Sequence, residues 1–269
     1  MKREPDDWDD PLGAETYSEL ARGGELYRTL GRRLVELADP RPGELWIDLA
    51  CGTGLVTELI AAHAGRTVRI AGLDRAGAML VVAVRQVPLD GVVFARADPS
   101  ELPLASGEAD GLVCSAAFWH FPAPDRVWSE AARVLRPGGR VAINVPVSQL
   151  EGERDAPATP LQIELAAVGR RRFGESPAPA GPLRSRRSLL EQACEAGFEV
   201  GAEQVFEVLV RQEELAQLLH VPAIGARMYP LTDDASREAW IDESAGRIDL
   251  SEEAPVRWWQ ACLRRAGPL

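Results

Sequence analysis

The stretch from Leu45 to Ile60 constrains the fold of this chain most. A short apolar run ends at Asp48, passes through Gly52 and Gly54, and continues as a helical pattern. That order predicts a strand, a tight loop and the N-terminus of a helix. Open α/β sheets bind nucleotide-like ligands at such a junction, beside the carboxyl ends of their strands. The glycines let the backbone approach a ligand closely, and the first N–H groups of the helix point into the cleft.

The residues around the two glycines restrict the kind of nucleotide. A dinucleotide-binding loop carries a third glycine, and this chain has Thr57 at that position, which disfavours a nicotinamide enzyme. A phosphate-binding P-loop needs a lysine after its last glycine, and Leu55 follows Gly54, so that alternative is excluded. The carboxylate of Asp48 would repel a pyrophosphate and attract an ammonium or sulfonium group. The sequence therefore predicts a ligand that is cationic at this end.

Two further carboxylates follow at the ends of the next two predicted strands. Residues 67–73 form an apolar run that ends at Asp74, at the spacing from the glycine loop where an acid binds ribose hydroxyls. A third strand pattern, Val92–Ala97, ends at Asp98. A single aspartate at a strand end is more often a turn former or a helix cap. Three in succession favour a binding site instead.

Five motifs resemble those of class I S-adenosylmethionine-dependent methyltransferases, in the group similar to the ubiquinone/menaquinone-biosynthesis enzymes. They span residues 48–54, 72–80, 97–103, 109–115 and 132–141, so the resemblance covers residues 44–146 and is vague beyond them. It implies a three-layer, Rossmann-like α/β methyltransferase fold. In that fold a mostly parallel seven-stranded sheet ends in an antiparallel C-terminal hairpin and carries a helical cap insertion.

The resemblance also implies roles for individual residues. Asp48 and the loop after it would hold the methionine moiety of S-adenosylmethionine; the loop residues are Ala50, Cys51, Gly52, Thr53 and Gly54. Asp74 would bind the ribose hydroxyls, and Asp98 would accept a hydrogen bond from the adenine N6 amine. Four residues complete the implied site, namely Arg75 and Met79 near the adenine, and Ser115 and Ala116 facing the methionine end.

Two positions depart from the pattern of these enzymes. Ala50 stands where they often have glycine, and we expect its small side chain to be tolerated there. Pro99 follows Asp98 and has no N–H group, so the usual backbone donor to the adenine ring is missing. Ser100 is the candidate substitute donor.

Strand and helix patterns alternate from Leu45 to Val145, which predicts a parallel sheet with helices on both faces. Helical periodicity before this stretch runs from Glu15 to Ala38, with an interruption at Gly23 and Gly24. The chain divides into four regions: a disordered or draped acidic N-terminus at 1–14, a cofactor-binding core at 15–146, a cap or lid insertion at 147–183, and the C-terminal part of the sheet with further cap helices at 184–269.

The proline-rich insertion fits either a disordered loop or a partly helical lid around a helix at Leu161–Phe173, and we favour the lid. Further helical patterns follow at Arg186–Ala196, Glu213–His220 and Ser236–Gly246. The alternating segments Phe198–Leu209 and Pro255–Arg264 are the candidates for the final hairpin.

Composition bears on partners and compartment. The formal net charge of −11 argues against nucleic acid, because binding to phosphates needs clustered Lys and Arg. No apolar run approaches the ~20 residues of a membrane span, and the acidic, polar first residues do not resemble a signal peptide. The cysteines show neither disulfide nor metal spacing; they are Cys51, Cys114, Cys194 and Cys262. We therefore expect a cytoplasmic protein with reduced thiols, no metal, no nucleic-acid partner and no membrane contact.

Methyl transfer leaves little acid–base chemistry to the protein, since the cofactor supplies the reactivity. A base helps when the acceptor is a phenol, and His120, after the fourth strand at the mouth of the cleft, is the candidate. A structural role for His120 in its loop is an equal alternative. The candidate acceptor-binding residues are Tyr17, Phe118, Trp119 and His220, although aromatic residues here fit a core as well.

The sequence thus predicts an S-adenosylmethionine-dependent methyltransferase that forms S-adenosylhomocysteine and acts on a small, largely apolar or aromatic acceptor by O-, N- or C-methylation. The acidic surface and variable cap suggest bacterial secondary metabolism. Two alternatives stay open: an enzyme of this fold that uses the bound cofactor for a non-methylating cyclisation or rearrangement, and a non-catalytic cofactor-binding regulator. We expect a monomer or a homodimer.

Overall fold

Strands form where apolar, β-branched runs occur, and helices form where apolar residues recur at helical spacing. The computed structural model describes residues 8–65, 67–152, 158–174, 185–228 and 233–267. The strands in these ranges are β1 (Leu45–Leu49), β2 (Arg69–Asp74), β3 (Val92–Arg96), β4 (Ala109–Cys114), β5 (Leu135–Pro146), β6 (Phe198–Arg211) and β7 (Glu253–Arg265). The α-helices are α1 (Pro11–Gly23), α2 (Leu26–Ala38), α3 (Leu55–Ala64), α4 (Gly77–Gln86), α5 (Pro124–Val134), α6 (Pro160–Phe173), α7 (Arg186–Glu195), α8 (Gln212–His220), α9 (Pro222–Met228) and α10 (Asp234–Ala245).

These strands form one sheet in the order β3-β2-β1-β4-β5-β7-β6. Strands β1 to β5 run parallel, and β7 runs antiparallel to both β5 and β6. All residues of β1 are buried, Asp48 included, which fits the apolar run before Asp48, because parallel strands are covered on both faces. The predicted fold is confirmed: a mostly parallel seven-stranded sheet with an antiparallel C-terminal hairpin.

Different helices cover the two faces of the sheet and make the outer layers. Trp128 of α5 and Leu189 of α7 belong to the core cluster on one face. Leu34 of α2 and Ile60 of α3 pack with the buried Trp46 of β1 on the other face. The carboxyl ends of the parallel strands are left between these layers, at one edge of the sheet.

The N-terminal helix begins earlier than the sequence predicted. Helix α1 starts at Pro11 rather than Glu15, because Asp10 caps it by accepting a hydrogen bond from the Gly13 N–H at 2.8 Å and proline is favoured in a first turn. The expectation of a disordered or draped segment over 1–14 is therefore corrected for residues 11–14, and residues 1–7 lie outside the described residues. The predicted break at Gly23 and Gly24 separates α1 from α2.

The last three strands of the sheet are long. Strand β5 starts at Leu135, where it pairs with Ala109 at the start of β4. The hairpin strands β6 and β7 extend past the predicted segments, where Arg211 pairs with Glu253.

Helices α6, α8 and α10 share a small core of their own, which we call the cap. It is built on the buried side chains of Leu161, Leu165, Val168, Ala216, Trp240 and Ile241. The indole N–H of Trp240 donates to the Leu165 carbonyl at 2.9 Å and fixes α10 to α6. The helix predicted at Leu161–Phe173 is thus present as α6, while residues 153–157 and 175–184 of this region lie outside the described residues.

None of the helices in the described ranges is long and apolar enough to cross a membrane. The same residues hold no group of three or more His, Cys, Asp or Glu side chains placed to share a metal ion. All four cysteines are free thiols.

Candidate active site

A cavity of about 360 Å³ lies at the carboxyl ends of β1 to β4. This volume is within the range of roughly 300–1,000 Å³ that small-molecule sites occupy. Most residues predicted to hold the cofactor line it: Ala50, Gly52, Asp74, Arg75, Met79, Asp98, Pro99, Ser100, Ser115 and Ala116. Tyr17 and His120 line it as well. Residues from four separate strand ends therefore meet at one cavity.

Asp74, at the end of β2, is held in place by backbone donors. Its two carboxylate oxygens accept hydrogen bonds from the N–H groups of Gly52 at 2.8 Å and Ala76 at 2.9 Å. Each oxygen keeps a second lone pair, so the carboxylate can still accept hydrogen bonds from a ligand in the cavity. Burial raises the pKa of Asp74, and the two backbone hydrogen bonds oppose this rise.

Asp48 lies beneath the loop rather than on the cavity wall. It is 1% exposed, and its carboxylate accepts a hydrogen bond from the Thr57 hydroxyl at 2.6 Å. Burial raises the pKa of Asp48 to about 7; the hydrogen bond from Thr57 opposes the rise, and the charge of Asp74 adds to it. Asp48 is therefore held away from the cavity wall, where its charge rather than direct contact can influence the cavity.

Three more of the predicted loop residues shape the loop without lining the cavity. Cys51 is buried, and its N–H donates to the Leu73 carbonyl at 3.1 Å. Thr53 is 1% exposed. Gly54 has φ +83°, and a Cβ there would come within 2.9 Å of the Val87 side chain, so only glycine fits.

Two alanines at the strand ends have left-handed backbone conformations. Ala50 has φ +57° and Ala116 has φ +52°, and both line the cavity. A residue with a Cβ is strained in this region by about 1–2 kcal/mol. The N–H of Ala116 donates to the buried Asn144 side chain at 2.6 Å, which helps to hold the turn after β4. Alanine is therefore accommodated at position 50, as the sequence predicted, but its backbone is strained.

At the end of β3 the polar groups are bonded to one another. The N–H and the hydroxyl of Ser100 both donate to one carboxylate oxygen of Asp98, at 2.8 and 2.5 Å. Ser100 is therefore engaged with Asp98, which weakens its candidacy as the substitute donor for the missing N–H of Pro99. These hydrogen bonds hold the pKa of Asp98 below its usual range, and the charges of Arg75 and Arg126 act in the same direction.

Aromatic rings surround the opposite end of the cavity, next to Ala116. Successive ring centroids are 5.4 Å apart for Tyr27–Tyr17 and for Tyr17–Trp8, 6.2 Å for Trp8–His120, 5.0 Å for His120–Trp119 and 5.7 Å for Trp119–Trp258. Tyr27, Trp119 and Ala116 pack on the same apolar cluster that contains Trp258. We use the name aromatic rim for the six side chains joined by these ring contacts: Tyr27, Tyr17, Trp8, His120, Trp119 and Trp258.

Two tyrosines of the rim have strongly raised pKa values. Burial raises the pKa of Tyr17 well above its usual value, and the charges of Tyr27, Asp74 and Asp48 raise it further. Burial also raises the pKa of Tyr27, with a further contribution from the charge of Glu214. Both hydroxyls therefore stay protonated at any physiological pH.

Three predicted acceptor-binding residues do not line the cavity. Phe118 is 2% exposed and packs against Phe121 and Trp128 in the core. Trp119 belongs to the aromatic rim, one ring away from the cavity wall. His220 lies at the end of α8, where it pairs with Asp242 at 3.2 Å.

The cavity also contains residues that the sequence did not reveal. Trp8 precedes the first helix, and Arg126 lies in the first turn of α5. Neither belongs to a recognisable motif. The proximity of Trp8 to Tyr17 comes from the docking of α1 on α4, where Ala14 packs with Met79.

Residues 47–143 match the family model described as a methyltransferase domain. A methyltransferase, GfsG, of Streptomyces halstedii is 36% identical over 140 residues, which are 51% of this chain and 48% of that protein. The nocamycin O-methyltransferase of Saccharothrix syringae is 32% identical over 130 residues, 47% of this chain and 46% of that protein. The chain thus spans about half the length of the curated relatives it matches.

Solved structures share the fold over more of the chain. A geranyl diphosphate methyltransferase in complex with S-adenosylmethionine superposes with a TM-score of 0.55 at 17% identity, covering 97% of this chain and 94% of the other. The [4+2]-cyclase SpnF superposes with a TM-score of 0.57 at 19% identity, covering 88% and 82%. At this level of identity these likenesses establish the fold alone. Residues 47–143 thus match a methyltransferase-domain model in sequence, and the solved structures share the fold over most of the chain.

Proposed function

We propose that this protein is an S-adenosylmethionine-dependent methyltransferase acting on a small, largely apolar or aromatic acceptor, with a place in bacterial secondary metabolism. The observation that carries the proposal is the convergence of Asp74 and Asp98 on one cavity, with Asp48 buried beneath the same loop. Carboxylates at these positions suit the hydroxyl and amine donors of a nucleoside, and the charge of Asp48 suits a cationic one. The relatives described as methyltransferases support the same conclusion.

The residues of the cavity fit the proposed cofactor from end to end. Asp74 would accept from the ribose hydroxyls with the lone pairs its backbone donors leave free, and Asp98 would accept from the adenine amine. Ala50 and Gly52 would lie against the methionine moiety, where the charge of Asp48 favours a sulfonium. When bound, the cofactor supplies an electrophilic methyl group activated by its positive sulfur.

The aromatic rim is the proposed boundary of the acceptor site. It lies at the Ala116 end of the cavity and continues into the apolar cluster with Leu26, Phe206 and Val208. Its side chains carry no permanent positive charge, so an anionic acceptor would gain nothing there. The protein's main contribution would be to hold the acceptor in line with the methyl group, which can supply roughly 7–11 kcal/mol.

His120 is the proposed base for acceptors that must lose a proton. It lies on the short helix Phe118–His120 and lines the cavity between Trp8 and Trp119. Once an acceptor is known, His120→Ala should lower the maximal rate while leaving the affinity for S-adenosylhomocysteine within a few-fold of wild type. An unchanged maximal rate would end its candidacy.

The binding proposal is tested by isothermal titration with S-adenosylmethionine and S-adenosylhomocysteine. Asp74→Asn should weaken both by at least tenfold, because hydrogen bonds to a charged group are lost, each worth about 1.5–3 kcal/mol. Asp90→Asn is the matched control, since Asp90 is exposed and outside the cavity. Wild-type protein that binds neither compound would overturn the proposal, and undiminished binding by Asp74→Asn would overturn the role of Asp74.

The reaction is tested by product mass, with a panel of phenols, amines and acidic carbon compounds as acceptors. A gain of one CH2 unit demands methyl transfer. A rearranged product of unchanged mass that forms only with bound S-adenosylmethionine would favour the cyclisation alternative instead. Cofactor binding without turnover of any compound would favour the non-catalytic regulator.

A further inference from the structure

The end of the cavity nearest β3 offers hydrogen-bond acceptors to a ligand. It lacks the backbone N–H donor that the related enzymes usually have there. Pro99 has no N–H group. The N–H and hydroxyl of Ser100 are both directed to Asp98. Asp98 keeps its second carboxylate oxygen for the adenine amine. The ring nitrogen beside that amine, N1 of adenine, is an acceptor that needs a donor from elsewhere.

A donor is available on the opposite wall, in the first turn of α5. Arg126 lines the cavity with Asp98, Pro99 and Ser100. No described residue forms a hydrogen bond or ion pair with its guanidinium, although its positive charge acts on Asp98. Arg96, at the end of β3, is by contrast paired with Asp9 at 3.5 Å. A guanidinium has five N–H donors and no acceptor, so it complements a ring nitrogen.

We propose that Arg126 donates a hydrogen bond to N1 of the adenine ring and so replaces the backbone donor that Pro99 removes. This inference rests on the proposed binding of S-adenosylmethionine. It assigns adenine recognition to two walls of the cavity: Asp98, just after β3, accepts from the amine, and Arg126 on α5 donates to the adjacent ring nitrogen. A nucleoside without an acceptor at that ring position would lose the contact with Arg126 alone.

The test pairs a change in the protein with a change in the ligand. S-adenosylhomocysteine and its 1-deaza analogue, in which C–H replaces N1, are titrated calorimetrically into wild type and Arg126→Met. Wild type should bind the analogue about tenfold more weakly, because the donor loses its acceptor. Arg126→Met should bind S-adenosylhomocysteine about tenfold more weakly than wild type and should bind the two ligands within about twofold of each other.

Arg69→Met is the matched control, since Arg69 is exposed at the start of β2 and lies outside the cavity. It should keep the wild-type preference for S-adenosylhomocysteine over the analogue. Pro99→Ala supplies an independent check, because it restores an N–H at the end of β3. Combined with Arg126→Met, it should recover part of the lost affinity for S-adenosylhomocysteine and none for the analogue.

The inference is overturned if Arg126→Met still discriminates between the two ligands as wild type does, or if it binds S-adenosylhomocysteine with wild-type affinity. Arg126 is exposed, so the variant should fold, and an unchanged unfolding midpoint verifies this. A failure of the proposed function looks different, because wild type would then bind neither S-adenosylmethionine nor S-adenosylhomocysteine.

Discussion

Glu214 of the cap accepts a hydrogen bond from the backbone N–H of Leu26 at 2.9 Å, although 188 residues separate them. Its second oxygen accepts from the N–H of Glu25 at 3.1 Å. The carboxylate thus serves as the N-terminal cap of α2, which lacks a capping side chain of its own. Gly24 is required beside it, since a Cβ there would meet the carboxylate at 2.3 Å. The cap and the N-terminal helices are therefore joined by a buried negative charge next to the aromatic rim.

Glu214→Ala should lower the free energy of unfolding by about 2 kcal/mol, because two N–H groups at a helix terminus lose a charged acceptor. Glu214→Gln should lose less, since its amide oxygen can still accept. Urea unfolding measures both changes. The neighbouring Glu213 is an exposed control whose ion pair with Arg211 is worth about 0–1 kcal/mol. An equal loss for Glu213→Ala and Glu214→Ala would contradict the capping role.

Asp48 should make the protein less stable as the pH rises. Its folded-state pKa of about 7 exceeds the ordinary value of 3.8, so the folded state binds more protons than the unfolded state between these values. The stability contributed by this group is therefore greatest at low pH and falls as the pH rises from about 4 to 7. Asp48→Asn removes that dependence.

Urea unfolding of wild type and Asp48→Asn at pH 5 and pH 8 measures the effect. The variant should gain in stability relative to wild type between the two pH values, because its amide has no charge to desolvate. A difference between the two proteins that is the same at pH 5 and pH 8 would contradict a raised pKa for Asp48.

Ala50→Gly should stabilise the protein by up to about 1 kcal/mol, since glycine adopts φ +57° without strain and this gain exceeds the entropy it loses in unfolding. Ala62 of α3 is the matched control, because it is exposed in a regular helix. Ala62→Gly should destabilise the protein by about 1 kcal/mol. Thermal or urea unfolding measures the change in stability of each variant. A loss of stability at both positions would contradict the strain assigned to Ala50.

The tyrosines of the rim should resist ionisation in alkali. Tyr17 and Tyr27 have strongly raised pKa values, and the third tyrosine of the chain is Tyr229. In the variant Tyr229→Phe, absorbance at 295 nm should show almost no tyrosinate at pH 10.5 while circular dichroism reports a folded protein. In urea, both remaining tyrosines should titrate near pH 10. A normal titration of the folded variant would show that the hydroxyls are accessible to water.

The fold and the clustering of the strand-end residues at one cavity were predictable because they depend on local patterns. Apolar runs that end in Asp48, Asp74 and Asp98 must place these residues at one sheet edge once the strands are parallel. The pattern does not specify which way each side chain turns. Asp48 turns to Thr57 beneath the loop, and Asp98 turns to Ser100.

The aromatic rim was less predictable because it is assembled from distant segments. Trp8, Tyr27 and Trp258 come from the N-terminus, from α2 and from the last strand, and only tertiary packing brings them together. In the run from Phe118 to Pro122, the tight turns of the short helix decide which ring points outward. Phe118 is buried in the core, while His120 and Phe121 reach the cavity.

The hairpin of β6 and β7 has one further consequence, which concerns how such proteins diversify. Arg211 and Glu253 are paired across the hairpin, so the segment with α8, α9 and α10 leaves and re-enters the sheet at adjacent positions. That segment includes Glu214, so any exchange of it must keep a carboxylate that caps α2. A laboratory graft across the same two positions, with that carboxylate kept, would test whether these helices set the proposed acceptor preference.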